Sequence, residues 1–123
     1  GRVQIGNCTI IRDYYNANPE AMAASLQALG TVAGDAKKIA VLGNMNELGD
    51  FAGERHRTLG ALCKIKTDAA FFCGANYADF AEGYGSGAGA FAEQSELIGA
   101  LRQQIGTLTE SPCVILITTT PLI

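Results

Sequence analysis

The chain of 123 residues contains little charge of either sign, one histidine and no tryptophan. Nine basic residues face twelve acidic ones, the formal net charge is −3, and the longest basic run is Lys37-Lys38. Because nucleic acids and anionic membrane surfaces bind basic patches, neither is expected as a partner. No apolar stretch approaches the ~20 residues that span a bilayer. The first residues show no signal-peptide pattern, so a cytoplasmic protein is expected.

The sequence also lacks the clustered ligands of a metal site and the glycine motifs of common nucleotide sites. Four cysteines (Cys8, Cys63, Cys73 and Cys113) form no C-x-x-C pair, and His56 is the one histidine. These observations exclude a zinc site and a histidine-activated nucleophile. There is no G-x-x-x-x-G-K-[ST] and no G-x-G-x-x-G after the first predicted strand. All four cysteines lie in or beside apolar segments, which predicts buried, reduced thiols.

Short apolar segments alternate along the chain with segments of helical periodicity. With 48% hydrophobic residues the chain can bury a core, and its length suits a single domain spanning residues 1–123. This alternation predicts an α/β fold, a Rossmann-like, mostly parallel sheet with helices on both faces. Ser95 is expected to cap the last helix, and the glycine-rich residues 83–89 are expected to form a surface turn. The predicted strands cover residues 9–11, 39–43, 69–73, 90–91 and 114–117, and the predicted helices begin near residues 18, 50, 77 and 95.

Parallel sheets bind ligands beyond the carboxyl ends of their strands, which directs attention to the loops after Ile11, Leu42 and Cys73. The first loop leads into a helix whose N-terminus favours anions. Its polar side chains could therefore bind a ligand, or they could only cap the helix and satisfy the turn. These side chains are Asp13, Tyr15, Asn16 and Asn18.

The second loop places two amides and a carboxylate between Gly43 and Gly49. Glu47 could hold an ammonium group or orient a water molecule, although a loop carboxylate is more often simply solvated. His56 follows on the next helix, where a single histidine is more often structural than catalytic. By chemistry alone, the sequence indicates an α/β domain with two polar loops at one sheet edge.

Both loops resemble motifs of one enzyme family. Residues 13–22 read D-Y-Y-N-A-N-P-E-A-M, similar to D-x-Y-N-A-N-P-[DE]-x-M, which opens the last domain of Mur ligases that add D-Ala-D-Ala. Residues 41–49 read V-L-G-N-M-N-E-L-G, followed by His56, Arg57 and Gly60, and resemble V-L-G-D-M-x-E-L-G…H-R-x-x-G. Two departures stand out: Asn44 replaces the usual Asp, and T-T-T-P-L-I at residues 118–123 replaces a basic K-G-S-R-like turn.

The resemblance implies a C-terminal lid domain of an ATP-dependent amide ligase of peptidoglycan synthesis. ATP and Mg²⁺ would be held mainly by a central ATPase domain, and UDP-MurNAc-tripeptide by an N-terminal domain, neither of which lies within these residues. D-Ala-D-Ala would be the incoming substrate. Two alternatives stay open: a non-catalytic binding domain of the same fold, and another Mur-type amide ligase. The implied roles are nucleotide binding for Asp13, Tyr15, Asn16 and Asn18, substrate binding for Asn44 and Glu47, and catalysis for Glu47 and His56.

Overall fold

The computed structural model describes residues 1–14 and 17–119. These residues form six strands, four α-helices and a 3-10 helix at Gly49–Phe51. The predicted strands and helices are all present, within a few residues of their expected bounds. The strands are β1 Arg2–Ile5, β2 Cys8–Arg12, β3 Lys37–Leu42, β4 Ala69–Cys73, β5 Gly89–Phe91 and β6 Cys113–Ile117; the helices are α1 Pro19–Ala33, α2 Ala52–Lys66, α3 Tyr77–Tyr84 and α4 Gln94–Leu108.

The strands form one sheet in the order β1-β2-β6-β3-β4-β5. Strands β2, β6, β3, β4 and β5 run parallel, and β1 pairs antiparallel with β2 through a turn at Gly6, where φ is 57°. The predicted, mostly parallel sheet is confirmed. The antiparallel β1 was not predicted, because its polar–apolar alternation covers only four residues, too few to separate a strand from a loop.

Helices cover both faces of the sheet, as predicted. Since successive strand residues point to opposite faces, Leu42 and Phe72 pack with α1, α2 and α3, whereas Val41 and Phe71 pack on the side of α4. Strand β6 and residues 39–42 of β3 are buried from both sides, which explains their continuous apolar sequences.

The predicted start of α1 is confirmed, whereas the predicted start of α4 is wrong. Asn18 Oδ1 accepts a hydrogen bond from the Ala21 N–H at 2.9 Å, with Pro19 in the first helical position. Helix α4 is capped by Glu93 rather than Ser95. Glu93 and Glu96 form a capping box, each bonding the other's backbone, and this reciprocal pair outcompetes a single hydroxyl two residues later.

The glycine-rich stretch is not one surface turn. Gly83 belongs to α3 and Gly89 to β5, and only the residues between them turn. A Cβ atom at Gly83 would lie 1.9 Å from the Arg57 carbonyl oxygen, and one at Gly60 would lie 2.3 Å from the Phe80 carbonyl oxygen. Helices α2 and α3 therefore pack backbone against backbone, with one glycine on each helix facing a carbonyl of the other.

The cysteines are buried as predicted, but they are not all free thiols. Cys8 and Cys113 are direct partners in the β2–β6 register, with Cα atoms 4.9 Å apart, and form a disulfide. Cys63 and Cys73 are free, and burial raises the pKa of the Cys63 thiol to about 12. The expectation failed because the pairing of β2 with β6 joins residues far apart in sequence. Within the described ranges, no helix is long and apolar enough to cross a bilayer.

Candidate functional site

The loops after β2, β3 and β4 lie along one edge of the sheet, as their positions after parallel strands predicted. Strand β6 connects the first two. The Asp13 N–H donates to the Ile117 carbonyl at 2.8 Å, and the Gly43 N–H donates to Thr118 Oγ1 at 3.2 Å. The two polar loops identified in the sequence therefore share one region of the surface.

The first loop is anchored to the start of α1. Asp13 Oδ2 accepts a hydrogen bond of 2.5 Å from Ser25 Oγ, and Ser25 is itself buried. Asn18 caps the helix while remaining exposed at the loop surface. Tyr15 and Asn16 lie outside the described residues, so the nucleotide contacts expected of all these side chains stay predictions.

The second loop is held by its backbone. The Met45 N–H donates to His56 Nε2 at 2.9 Å, and the Asn46 N–H donates to the Ala17 carbonyl at 3.2 Å, which joins this loop to the first. Glu47 then adopts a left-handed conformation with φ of 59°, uncommon for a residue other than glycine. The result is a fixed loop that presents an exposed carboxylate.

His56 is completely buried on α2 and packs edge-on against Phe80, with ring centroids 4.8 Å apart. Because Nε2 accepts from the Met45 N–H, Nδ1 carries the proton and donates to the Ala52 carbonyl at 2.7 Å. Both ring nitrogens are thus bonded to backbone. These contacts favour a role for His56 in positioning the second loop over a role in direct proton transfer. The catalytic role of His56 stays a prediction.

We expect stability to depend on pH through this histidine. Burial lowers the pKa of His56 below its ordinary 6.5, so the unfolded chain binds a proton more readily. The stabilisation from the neutral ring is complete above pH 6.5 and is lost progressively as the pH falls from 6.5 through the folded-state pKa. NMR titration of this one histidine should give a midpoint below 6.5, with a parallel decline in the free energy of unfolding. A midpoint above 6.5 would contradict the buried, Nδ1-protonated ring.

The Asn44 side chain is turned towards the loop after β4. Its amide bonds Asn76, with a 3.0 Å contact from Asn44 Nδ2 to Asn76 Oδ1. The substrate contact predicted for Asn44 stays a prediction. In this structure both polar atoms of its side chain already form hydrogen bonds within the protein.

A cleft of about 510 Å³ opens between the two loops. It brings together Asn18 and Glu47, two of the residues selected from the sequence. Sequence reasoning missed Phe51, which is 61% exposed, and Arg55, whose guanidinium lies 5.9 Å from the Phe51 ring centroid. The i, i+4 spacing of Phe51 and Arg55 at the start of α2 was the available signal. Among the described residues, the lining consists of Asn18, Pro19, Glu20, Glu47, Leu48, Phe51 and Arg55.

The cleft combines carboxylates, one guanidinium, an amide and an exposed aromatic ring. Such a lining suits a small zwitterionic ligand with a short apolar part. Across residues 1–14 and 17–119, no group of three or more histidine, cysteine or acidic side chains is arranged to hold a metal ion. A further cleft of about 480 Å³ lies at the opposite sheet edge, where Asp68 caps the Lys38 N–H at 2.8 Å. That contact belongs to the framework of the fold.

Comparison with known families decides the relationship. The model of the Mur ligase, glutamate ligase domain matches residues 1–118. The chain belongs to this family. The fold and loop arrangement described above are thus those of a Mur ligase domain, as the two sequence motifs indicated.

Individual relatives of this Mur ligase domain include D-alanyl-D-alanine-adding enzymes. The Bacillus subtilis UDP-N-acetylmuramoyl-tripeptide–D-alanyl-D-alanine ligase is 42% identical over 76 residues, which are 61% of this chain and 17% of the relative. The Mycobacterium tuberculosis H37Rv ligase of that name is 47% identical over 58 residues, 44% of this chain and 11% of the relative. A crystal structure of MurF from Acinetobacter baumannii superposes with a TM-score of 0.86 at 29% identity, covering 97% of this chain and 26% of the MurF chain.

Proposed function

We propose that this chain is the C-terminal domain of an ATP-dependent ligase that joins D-Ala-D-Ala to UDP-MurNAc-tripeptide in peptidoglycan synthesis. The observation that carries the proposal is the junction of the two motif loops, where the Asn46–Ala17 hydrogen bond places Asn18 and Glu47 on one cleft. Because the chain spans 17% of the Bacillus relative, the ATPase and UDP-binding functions fall to the rest of a parent protein.

The chemistry divides naturally between such domains. Amide formation from a carboxylate requires activation. Transfer of the γ-phosphoryl group of ATP to the carboxylate gives an acyl phosphate and ADP; the dipeptide amine then attacks the carbonyl carbon, and inorganic phosphate leaves as the C–O bond breaks. Phosphoryl transfer depends on Mg²⁺. We assign this step to the central domain of the parent ligase.

This domain's own contribution is positioning. The loop of residues 13–18 faces the nucleotide, and the carboxylate of Glu47 accepts hydrogen bonds from the incoming amine. Holding the amine beside the activated carbonyl lowers the entropic cost of the reaction. Closure of the domain over the other two would bring both loops to the reacting groups.

We place the ligase in the cytoplasm, where ATP and the nucleotide-linked precursor meet. Cytoplasmic thiol systems keep most protein disulfides reduced. In such a compartment we expect the Cys8–Cys113 disulfide of the structure to be reduced to two buried thiols without loss of the fold, since the β2–β6 pairing also has its own backbone hydrogen bonds.

Substitutions at Glu47 and Asn16 in the complete ligase test the proposal. Glu47→Gln keeps the size of the side chain and removes its charge, so kcat/KM for D-Ala-D-Ala should fall by about 10- to 100-fold. Asn16→Ala should raise KM for ATP instead. Steady-state kinetics with each substrate varied in turn separates the two effects.

Glu82→Gln is the matched control, because Glu82 is exposed on α3 and does not line the cleft. It should leave both kinetic parameters unchanged. If Glu47→Gln and Asn16→Ala behaved like this control, the positioning roles would be wrong and a non-catalytic binding domain would be favoured.

A further inference from the structure

A chain of side-chain hydrogen bonds runs behind the second loop. Asn44 Nδ2 donates to Asn76 Oδ1 at 3.0 Å, Asn76 Nδ2 donates to Asp79 Oδ2 at 3.0 Å, and Arg57 Nη1 donates to Asp79 Oδ1 at 2.9 Å. The chain therefore links the loop after β3 to the start of α3 and to α2. Neither sequence motif includes Asn76 or Asp79.

The direction of this chain is fixed at both ends. Asp79 only accepts hydrogen bonds, so Asn76 must turn its Nδ2 towards Asp79 and its Oδ1 towards Asn44. The Asn76 backbone N–H donates to Asn44 Oδ1 at 2.7 Å, so Asn44 must present Nδ2 to Asn76 Oδ1. Each amide thus has a single orientation that satisfies all of its partners.

An aspartate at position 44 would conflict with this arrangement. Its second carboxylate oxygen would face Asn76 Oδ1, leaving two acceptors in contact without a proton between them. Flipping the Asn76 amide would only move the conflict to Asp79. Arg57 anchors the negative charge on α3, so position 44 needs a donor.

The same hydrogen bonds hold the N-terminal end of the segment that leads to Glu47. Asn44 immediately precedes Met45, whose backbone is held by His56, and the side chain of Asn44 packs against Gly74, where a Cβ would come within 2.7 Å of it. Loosening Asn44 frees one end of the segment that holds Glu47 in its left-handed conformation.

We propose that Asn76 is a positioning residue for the loop of residues 43–49, and that Asp79 sets the hydrogen-bond direction that makes an amide necessary at position 44. The positioning role rests on the proposed ligase function. The directional coupling is a property of the folded chain and can be measured without any ligase activity.

The decisive experiment reverses the direction of the side-chain hydrogen bonds that run from residue 44 through Asn76 to residue 79. Asn44→Asp should lower the midpoint of thermal unfolding by ~5 °C. In Asn44→Asp/Asp79→Asn, Arg57 can donate to the new amide at 79, that amide to Asn76 Oδ1, and Asn76 Nδ2 to the new carboxylate at 44. The double variant should therefore recover most of the stability lost in Asn44→Asp. Its side-chain amide signals in ¹⁵N NMR should be as well dispersed as those of the unsubstituted protein.

The same variants in the complete ligase test the positioning role. Asn44→Asp should raise KM for D-Ala-D-Ala about 10-fold while KM for ATP is unchanged, and the double variant should reverse this. Gln103→Glu also converts an amide to a carboxylate, on an exposed side chain of α4 that does not line the cleft, and should have neither effect.

The two parts of the proposal fail separately. If the double variant were destabilised by the sum of its single substitutions, the directional coupling would be absent. If stability followed the expected pattern but KM for the dipeptide did not move, Asn76 would have no positioning role. The proposed function would then still be decided by Glu47→Gln.

Discussion

Replacing Gly83 by alanine is expected to destabilise the domain by about 3 kcal/mol, at the upper end of the usual cost of overpacking. The new methyl group would lie 1.9 Å from the Arg57 carbonyl oxygen, which belongs to rigid helical backbone and cannot rotate away. Helix α3 must therefore move off α2. Gly60→Ala should have a similar effect from the other helix, and urea denaturation measures both.

Gly99→Ala provides the matched control. Gly99 also lies within a helix, but a Cβ there would meet no atom within 4 Å. Since alanine is the better helix former, this variant should be stabilised by about 0.5–1 kcal/mol. The same substitution is thus expected to have opposite signs at two helical positions. Equal effects at both would show that the helices do not pack as closely as described.

Phe72→Ala is expected to cost about 4 kcal/mol of unfolding free energy. Phe72 is fully buried in β4, stacked on Phe80 at a centroid distance of 4.5 Å and edge-on to Tyr84 at 5.8 Å. Truncation leaves a cavity where three aromatic rings meet. Because His56 also contacts Phe80, the loss should disturb the second loop as well.

Phe51→Ala removes the same atoms from a ring that is 61% exposed at the cleft. Its cost should stay within about 0.5 kcal/mol. Comparing the two denaturation curves separates burial from side-chain identity. If Phe51→Ala were as destabilising as Phe72→Ala, the Phe51 ring would not be solvent-exposed at the cleft as described.

The architecture was predictable because β4, β6 and residues 39–42 of β3 are apolar and the intervening segments have helical periodicity. Residues 18–20 predict the start of α1 from local signals: a capping asparagine, a proline in the first helical position and an acidic residue in the first turn. Local signals failed at the start of α4, where two alternative helix caps were available. Ser95 is a good cap in isolation, but the Glu93–Glu96 pair satisfies more backbone groups.

The position of the candidate site was predictable, whereas the hydrogen bonds within it were not. Parallel strands place the loops after Ile11 and Leu42 at one edge whatever the strand order. The sequence does not show that Asn44 meets Asn76, or that the two nitrogens of His56 bond two different backbone groups. Those contacts depend on how closely α2 and α3 approach. This distance is set by Gly60, the last residue of the second motif, together with Gly83, which lies outside both motifs.

The strand order has a consequence for biosynthesis. Strand β6 lies between β2 and β3, so the pairing of Cys8 with Cys113 closes a separation of 105 residues. As the chain leaves the ribosome from its N-terminus, the hairpin of β1 and β2 has no parallel neighbour until residues 113–117 emerge. The nascent domain therefore exposes an unpaired strand edge throughout most of its translation, and its folding should await the last strand.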